Sequence, residues 1–296
     1  MQDKLYYCEI KGNKEDTDVV VELFGGLSVM MSANSEVDEK ITTYRVYTET
    51  NDQVLNIVTL LSIAIKEWEI YDVILSKPEI STINKEDWTE VWKKFFKIQH
   101  VTPTMVIKAG WHKYSPKPGE KVIEIEPGMS FGTGSHETTQ LCLKMIEKIS
   151  KNHQGESFLD AGCGSGILSI AAAMLGFNPI YAFDYDIESI ISSKENFEVN
   201  KTSLNNVKLE QADIKKYDPG CQFDVVNANI ISSVLVPNAE RLMSWIKPGG
   251  YMILSGILKN EYQKVRENFI TDEVKELEVV YQKEWSGGLF RKSVSQ

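Results

Sequence analysis

Apolar and polar positions along the first third of the chain fall into short runs whose period switches between two and 3.6. Leu5–Ile10 reads as a strand, and Asp16–Phe24 as a helix stopped by Gly25 and Gly26. Ser28–Ser32 and Thr43–Thr48 are β-rich. Asp52–Trp68 carries Leu55, Val58, Leu61 and Ile65 at helical spacing, and Tyr71–Leu75 closes the set. The order βαββαβ is that of a small ferredoxin-like α+β domain, here residues 1–84. A second amphipathic run, Asn84–Lys97, places Trp88, Val91, Trp92 and Phe95 on one stripe; it predicts a linker helix over residues 85–99 that packs against a domain.

Residues 100–296 read differently. From Ser157 onward strand-like and helix-like runs alternate. The strands are Phe158–Gly162, Ile180–Asp184, Val207–Gln211, Asp224–Asn229 and Tyr251–Leu254; the helices between them are Ile167–Leu175, Ile187–Val199 and Val234–Trp245. Such alternation predicts an α/β fold with a mostly parallel sheet and ligands at the carboxyl ends of its strands. Lys247-Pro248-Gly249-Gly250 predicts a turn before Tyr251, and Leu277–Gln282 with Gly288–Ser293 predicts a final antiparallel pair.

With 296 residues, about two domains are expected. Apolar residues at 42% and charged residues at 25% are ordinary for a folded globular chain, which excludes wholesale disorder. The formal charge of -10 opposes a phosphate backbone and favours a basic protein partner, so no nucleic-acid binding is expected. Cys8, Cys142, Cys163 and Cys221 form no CxxC pair, and His100, His112, His136 and His153 are scattered. Neither a disulfide framework nor a metal site is indicated, and a cytoplasmic location fits. The longest apolar stretch, Val54–Ile65, is too short for a span of about 20 residues, and Met1–Ile10 has no signal-peptide pattern; no membrane association is expected.

The chemistry concentrates in FLDAGCGSGIL, residues 158–168: an apolar strand, Asp160, then Gly162, Gly164 and Gly166, then a helix. Glycines permit a tight turn and a close ligand approach, and the helix start offers free N–H groups. The spacing is GxGxG rather than the GxGxxG of dinucleotide sites, which disfavours an NAD-dependent dehydrogenase. Asp184 stands 22 residues after Gly162, where an acid accepts both ribose hydroxyls. Asp213 is placed to meet an adenine amino group. No Lys or Arg lies in the turn, so a cationic sulfonium is as comfortable there as an anion.

FGTGSHETT at Phe131–Thr139, AGCGSGILSIAA at Ala161–Ala172, DVVNANI at Asp224–Ile230 and LSGIL at Leu254–Leu258 together resemble the ribosomal protein L-eleven (L11) methyltransferase family, PrmA, whose first glycine motif is that of class I S-adenosylmethionine methyltransferases. The match runs from about Trp88 to the C-terminus. The resemblance implies a Rossmann-like seven-stranded, mostly parallel sheet with an antiparallel last strand, and S-adenosyl-L-methionine as cofactor. It implies protein methylation at lysine side chains and possibly an N-terminal amine, with free L11 as partner and substrate. Its cofactor contacts fall on Thr139, Gly162, Asp184 and Asn229; the full binding set expected here is Phe131, Thr133, Thr139, Asp160, Gly162, Gly164, Gly166, Asp184, Asp213 and Asn229. Asn229 would position the amine, and His136 would orient substrate or act as a base. The usual family motif reads THPTT, so Ser135 and Glu137 depart from it, and Glu137 adds a charge near the entrance. Two other readings stand beside this one: another protein-lysine target, as in the electron-transfer flavoprotein β-subunit methyltransferases, and a binding module that keeps the adenosine pocket without transfer.

Overall fold

The computed structural model describes residues 4–25, 31–34, 40–48, 50–68, 73–84, 97–125, 134, 136–151 and 156–294. The chain divides into two compact units, Met1–Phe95 and Phe96–Gln296. In the first, strand β1 (Lys4–Asn13), helix α1 (Thr17–Gly25), β2 (Met31–Asn34), β3 (Ile41–Thr48), α2 (Asn51–Trp68) and β4 (Glu79–Asn84) form a four-stranded antiparallel sheet ordered β2-β3-β1-β4. That is the sheet order of a split βαβ unit with its hairpin strand inserted.

Two details differ from the sequence expectation. The closing strand is Glu79–Asn84, not Tyr71–Leu75; Leu75 makes only an isolated bridge to Gly12, while Tyr71 lies outside the described residues. Nearly every residue of β4 is exposed, so the strand has no alternating pattern to detect. On α2 the buried face is Val54, Leu61, Ala64 and Trp68, and Leu55 is exposed. The helix carries no charged residue between Gln53 and Ile65, so periodicity could not single out one side. The linker helix expected over 85–99, with Trp88 and Trp92, falls mostly outside the described residues.

The second unit begins with a three-stranded sheet that the sequence pattern did not announce: β5 (Gln99–Thr102), β6 (Met105–Lys108) and β7 (Lys121–Glu124). Each strand is four residues long, below what periodicity resolves. Two contacts anchor it to helices of the unit. The buried Glu147 carboxylate accepts from the Thr102 and Thr104 hydroxyls, and the Asn200 amide exchanges bonds with the Glu124 backbone at 2.6 and 2.8 Å.

The main sheet has seven strands in the order β10-β9-β8-β11-β12-β14-β13. They are β8 (Phe158–Ala161), β9 (Ile180–Asp184), β10 (Val207–Gln211), β11 (Phe223–Asn229), β12 (Ile246–Leu258), β13 (Val274–Gln282) and β14 (Trp285–Lys292). The first five are parallel, and β14 runs antiparallel to both neighbours. This is the class I methyltransferase arrangement. Between the strands lie α3 (Glu137–Ser150), α4 (Ile167–Met174), α5 (Ile187–Val199), α6 (Ser232–Leu235), α7 (Ala239–Ser244) and α8 (Tyr262–Phe269). β8 is buried at every position, and α7 and α8 bury Leu242, Val265 and Phe269 in one core with Val226, Leu254 and Phe290.

The single helix expected over Val234–Trp245 is broken into α6, a 3₁₀ turn at Val236–Asn238 and α7, because Pro237 cannot continue the hydrogen-bond ladder. The turn expected at 247–250 lies inside β12. The register jumps from Phe223↔Ile246 to Val225↔Tyr251, so Lys247-Pro248-Gly249-Gly250 bulges out of a continuous strand, with Gly249 at φ 81°.

Gly256 shows how closely the chain approaches itself near the strand ends. Its φ is 80°, and a Cβ there would stand 2.8 to 2.9 Å from the Ile230 backbone. Gly220 has φ 69° but open space around it. Gly256→Ala is therefore expected to cost clearly more than the roughly 1–2 kcal/mol of left-handed strain that Gly220→Ala carries, with urea denaturation of the two variants as the check.

Candidate active site

At the carboxyl end of β8 the chain turns through Gly162, Gly164 and Gly166 with φ of 74°, 53° and 78°, a left-handed path that side chains rarely adopt. The Gly162 and Cys163 N–H groups donate to the Phe183 carbonyl at 2.9 and 3.0 Å, and the Gly164 N–H donates to Asp184 Oδ2 at 2.9 Å. The turn is thus tied to the end of β9. Two residues of α5, which sequence reasoning did not single out, secure it from the other direction. Ser193 donates to the Gly164 carbonyl at 2.8 Å and the Asn196 amide to the Ser165 carbonyl at 2.9 Å. Both are buried polar residues on an amphipathic helix, and that placement is their only sequence signal. A Cβ on Gly166 would meet Ser193 Oγ at 2.8 Å, so the helix and turn touch directly.

Asp184 is half-buried; Oδ1 accepts from the Asp186 N–H at 3.0 Å. Burial raises its pKa, and the N–H donors of Asp186 and Gly164 oppose that rise. Asp213, one residue beyond Ala212, whose N–H bonds the Asp184 carbonyl at 2.8 Å, closes its own loop by accepting from the Lys215 N–H at 2.9 Å. Strand pairing of Gln211 with Asp184 brings the two acids to neighbouring strand ends.

The FGTGSHETT segment meets the same turn. Gly134 has φ 83°, and a Cβ there would collide with Ile107 at 2.6 Å and with Ile167, the first residue of α4, at 2.9 Å. Phe131, Thr133 and Ser135 lie outside the described residues. His136 is the N-cap of α3: its Nδ1 accepts from the Thr138 N–H at 3.3 Å and pairs with the Thr138 hydroxyl at 2.8 Å. Burial lowers its pKa, which favours the neutral ring that a cap acceptor requires, and its edge packs on Trp285 at 5.0 Å. Glu137 does not stand as a lone charge. Burial would raise its pKa, but Lys283 Nζ at 2.5 Å holds the carboxylate below the ordinary range. Thr139 is fully buried, and its hydroxyl has no hydrogen-bond partner among the described residues.

β11 ends in Asn227-Ala228-Asn229. Asn229 Oδ1 is a second buried oxygen without a partner among the described residues, and the Ile230 N–H donates to the Ser255 carbonyl of β12 at 3.0 Å. Buried acceptors left unmet cost about 1–3 kcal/mol each, which marks them as groups kept for something other than stability. Asp160, expected among the binding residues, is fully buried: it accepts from Ser169 Oγ at 2.7 Å and from Asn227 Nδ2 at 2.9 Å. Burial is the largest influence on it and pushes its pKa up to about 6 against those two bonds.

The donor set suits an adenosyl sulfonium. The turn is free of Cβ atoms at three positions and of cationic side chains, Asp184 offers ribose an acceptor, and two unpartnered oxygens, on Thr139 and Asn229, lie at the start of α3 and the end of β11. Among the described residues no cluster of His, Cys, Asp or Glu could hold a metal, and no helix is long and apolar enough to cross a membrane.

The family model for ribosomal protein L11 methyltransferase (PrmA) matches residues 9–293. The chain belongs to this family. A ribosomal protein L11 methyltransferase from Geobacter metallireducens is 35% identical over 96% of both chains. One from Caldanaerobacter subterraneus subsp. tengcongensis is 40% identical over 73% of this chain and 68% of its own. The crystal structure of ribosomal protein L11 methylase from Lactobacillus delbrueckii subsp. bulgaricus matches with a TM-score of 0.61 at 27% identity, covering 67% of this chain and 100% of that one. As a member of the PrmA family the protein is a methyltransferase, an enzyme.

The Asp160 carboxyl makes a stability prediction with a definite sign. Its folded pKa lies above the ordinary value near 3.8, so the fold binds that proton more tightly than the unfolded chain does. The favourable contribution is complete below about pH 4 and is lost as the pH rises through 6, a swing of about 3 kcal/mol. Asp160→Asn removes the titration. Its unfolding free energy relative to the native sequence is expected to improve steadily between pH 4 and pH 7 in urea titrations.

Proposed function

We propose that the protein transfers methyl groups from S-adenosyl-L-methionine to amino groups of ribosomal protein L11, on lysine side chains and the N-terminal amine. The observation that carries this reading is the pairing of a glycine turn bonded to Asp184, at the end of β8, with an unpartnered Asn229 oxygen at the end of the neighbouring strand β11. The names of the relatives support L11 as the substrate.

When bound, S-adenosylmethionine supplies an electrophilic methyl group. The rest is alignment, since an in-line displacement needs no covalent intermediate on the protein. Asp184 holds the ribose, the Gly162–Gly166 turn lets the backbone approach the donor, and Asp213 reaches the adenine amino group. Thr139 Oγ1 offers a hydrogen bond at the start of α3. Phe131 and Thr133 complete the set from the segment before it.

Asn229 Oδ1 accepts a hydrogen from the incoming amine and so aims its lone pair at the methyl carbon. The amine must arrive neutral. A lysine of pKa about 10.4 is neutral only about 0.04% of the time at pH 7, a deficit of about 4.6 kcal/mol. Desolvation beside a sulfonium offsets part of that deficit. His136, engaged at Nδ1 as a helix cap, orients the segment rather than removing a proton. The residue 1–84 unit recognises the substrate, and residues 100–296 carry the reaction.

Labelled S-adenosylmethionine, the enzyme and free L11, followed by intact-mass and peptide analysis, test this directly. Label is expected in whole-methyl steps on lysines or the N-terminus; cofactor binding without transfer to L11 would overturn the substrate. Asn229→Ala is expected to reduce kcat about 100-fold while leaving cofactor affinity within about threefold, because it removes alignment rather than binding. Asp184→Ala is expected to weaken cofactor binding by about 10- to 100-fold, the value of hydrogen bonds to a charged group. Equal losses in kcat and affinity for Asn229→Ala would make that residue a cofactor anchor only.

A further inference from the structure

We propose that the buried pair Asp160–Asn227 is a positioning device that sets the separation between the glycine turn and Asn229, and with it the alignment of methyl donor and amine. The inference rests on the reading of the site given above and adds two residues that touch neither reactant.

The backbone shows why such a tie is needed. β8 and β11 pair from Phe158↔Val225 to Ala161↔Ala228, and there their ladder ends. Beyond that point the two segments leave in opposite directions. Gly162 and Cys163 donate to Phe183 of β9, whereas Asn229 pairs with Ser255 of β12 and the Ile230 N–H donates to the Ser255 carbonyl. The donor-holding turn is therefore fixed to one neighbour and the amine-holding segment to the other. Near the divergence a side-chain bond bridges them, beside the apolar approach of Ile230 to Gly162. Asp160 and Asn227 are register partners directly opposite each other, joined at 2.9 Å, and each stands two residues before the segment it would position.

Stability does not account for the pair. Both residues are fully buried, and the other buried positions of the two strands are Phe, Leu, Val and Ala. The carboxylate is desolvated, and Asn227 Oδ1 has no hydrogen-bond partner among the described residues. Apolar residues of similar volume would fill the same positions without an unmet polar group. Ser169, at 2.7 Å from Asp160 Oδ2, extends the tie to α4, the helix that follows the turn. The network thus reaches the turn from its strand and from its helix, and the acceptor segment through Asn227.

The test uses three variants of the full chain in steady-state methyl transfer to L11, with S-adenosylhomocysteine affinity measured by calorimetry. Asn227→Leu cuts the tie. Asp160→Leu with Asn227→Leu cuts it without leaving an unpaired buried carboxyl, which guards against misfolding. Asp160→Asn keeps it, because the introduced amide donates to Asn227 Oδ1 once the Asn227 amide rotates. Both cutting variants are expected to lose kcat about tenfold or more, the scale of a small misalignment, with KM for L11 and S-adenosylhomocysteine affinity within about threefold of native. Asp160→Asn is expected to keep kcat within about threefold. The proposal is overturned if the cutting variants keep kcat, if their affinity falls as far as their turnover, or if Asp160→Asn loses as much as they do. A native enzyme that neither binds S-adenosylhomocysteine nor transfers methyl would instead overturn the reading of the site, and this inference with it.

Discussion

The hydrogen bond from the Gly164 N–H to the Asp184 carboxylate joins the two segments on which the site is built. It requires a backbone that runs left-handed at Gly162, Gly164 and Gly166, and it requires β8 and β9 to lie side by side so that their carboxyl ends coincide. Parallel pairing supplies the second condition. α5 supplies the third element, since Ser193 and Asn196 hold carbonyls of the turn that would otherwise be unmet. A change at any of these points moves the Asp184 carboxylate relative to the turn.

Parts of this arrangement were legible in the sequence because they depend on local constraints. The GxGxG spacing after an apolar strand, and an acid 22 residues later, need only one βαβ unit to come together, and the structure builds that unit from Phe158 to Asp184. The parallel pairing of the five strands follows from the alternation of runs. Other parts depend on contacts distant in sequence. Asn227 reads as one more residue of a buried strand until β11 is laid beside β8, and Ser193 reads as a helix residue until α5 is laid on the turn. Strand β4, exposed along nearly its whole length, and the four-residue strands β5 to β7 offer no periodicity at all.

Glu137 and His136 illustrate how packing engages a side chain. Sequence places a charge at the entrance and a candidate base beside it. In the folded chain the β13–β14 turn brings Lys283 onto Glu137, and the start of α3 draws His136 Nδ1 onto Thr138. The Glu137 departure from the usual family motif is thus absorbed into the anchoring of α3, whose Thr139 hydroxyl stays unpartnered among the described residues. What distinguishes this turn from that of a dinucleotide pocket is not an added group but its GxGxG spacing.

The measurement that tests the central claim most directly is a calorimetric titration of the protein with S-adenosylhomocysteine and, separately, with NADH, repeated on Asp184→Ala. The account predicts one-to-one binding of S-adenosylhomocysteine that weakens by about tenfold or more in the variant, with no saturable binding of NADH. Tight NADH binding, or S-adenosylhomocysteine binding indifferent to the loss of the Asp184 carboxylate, would contradict it.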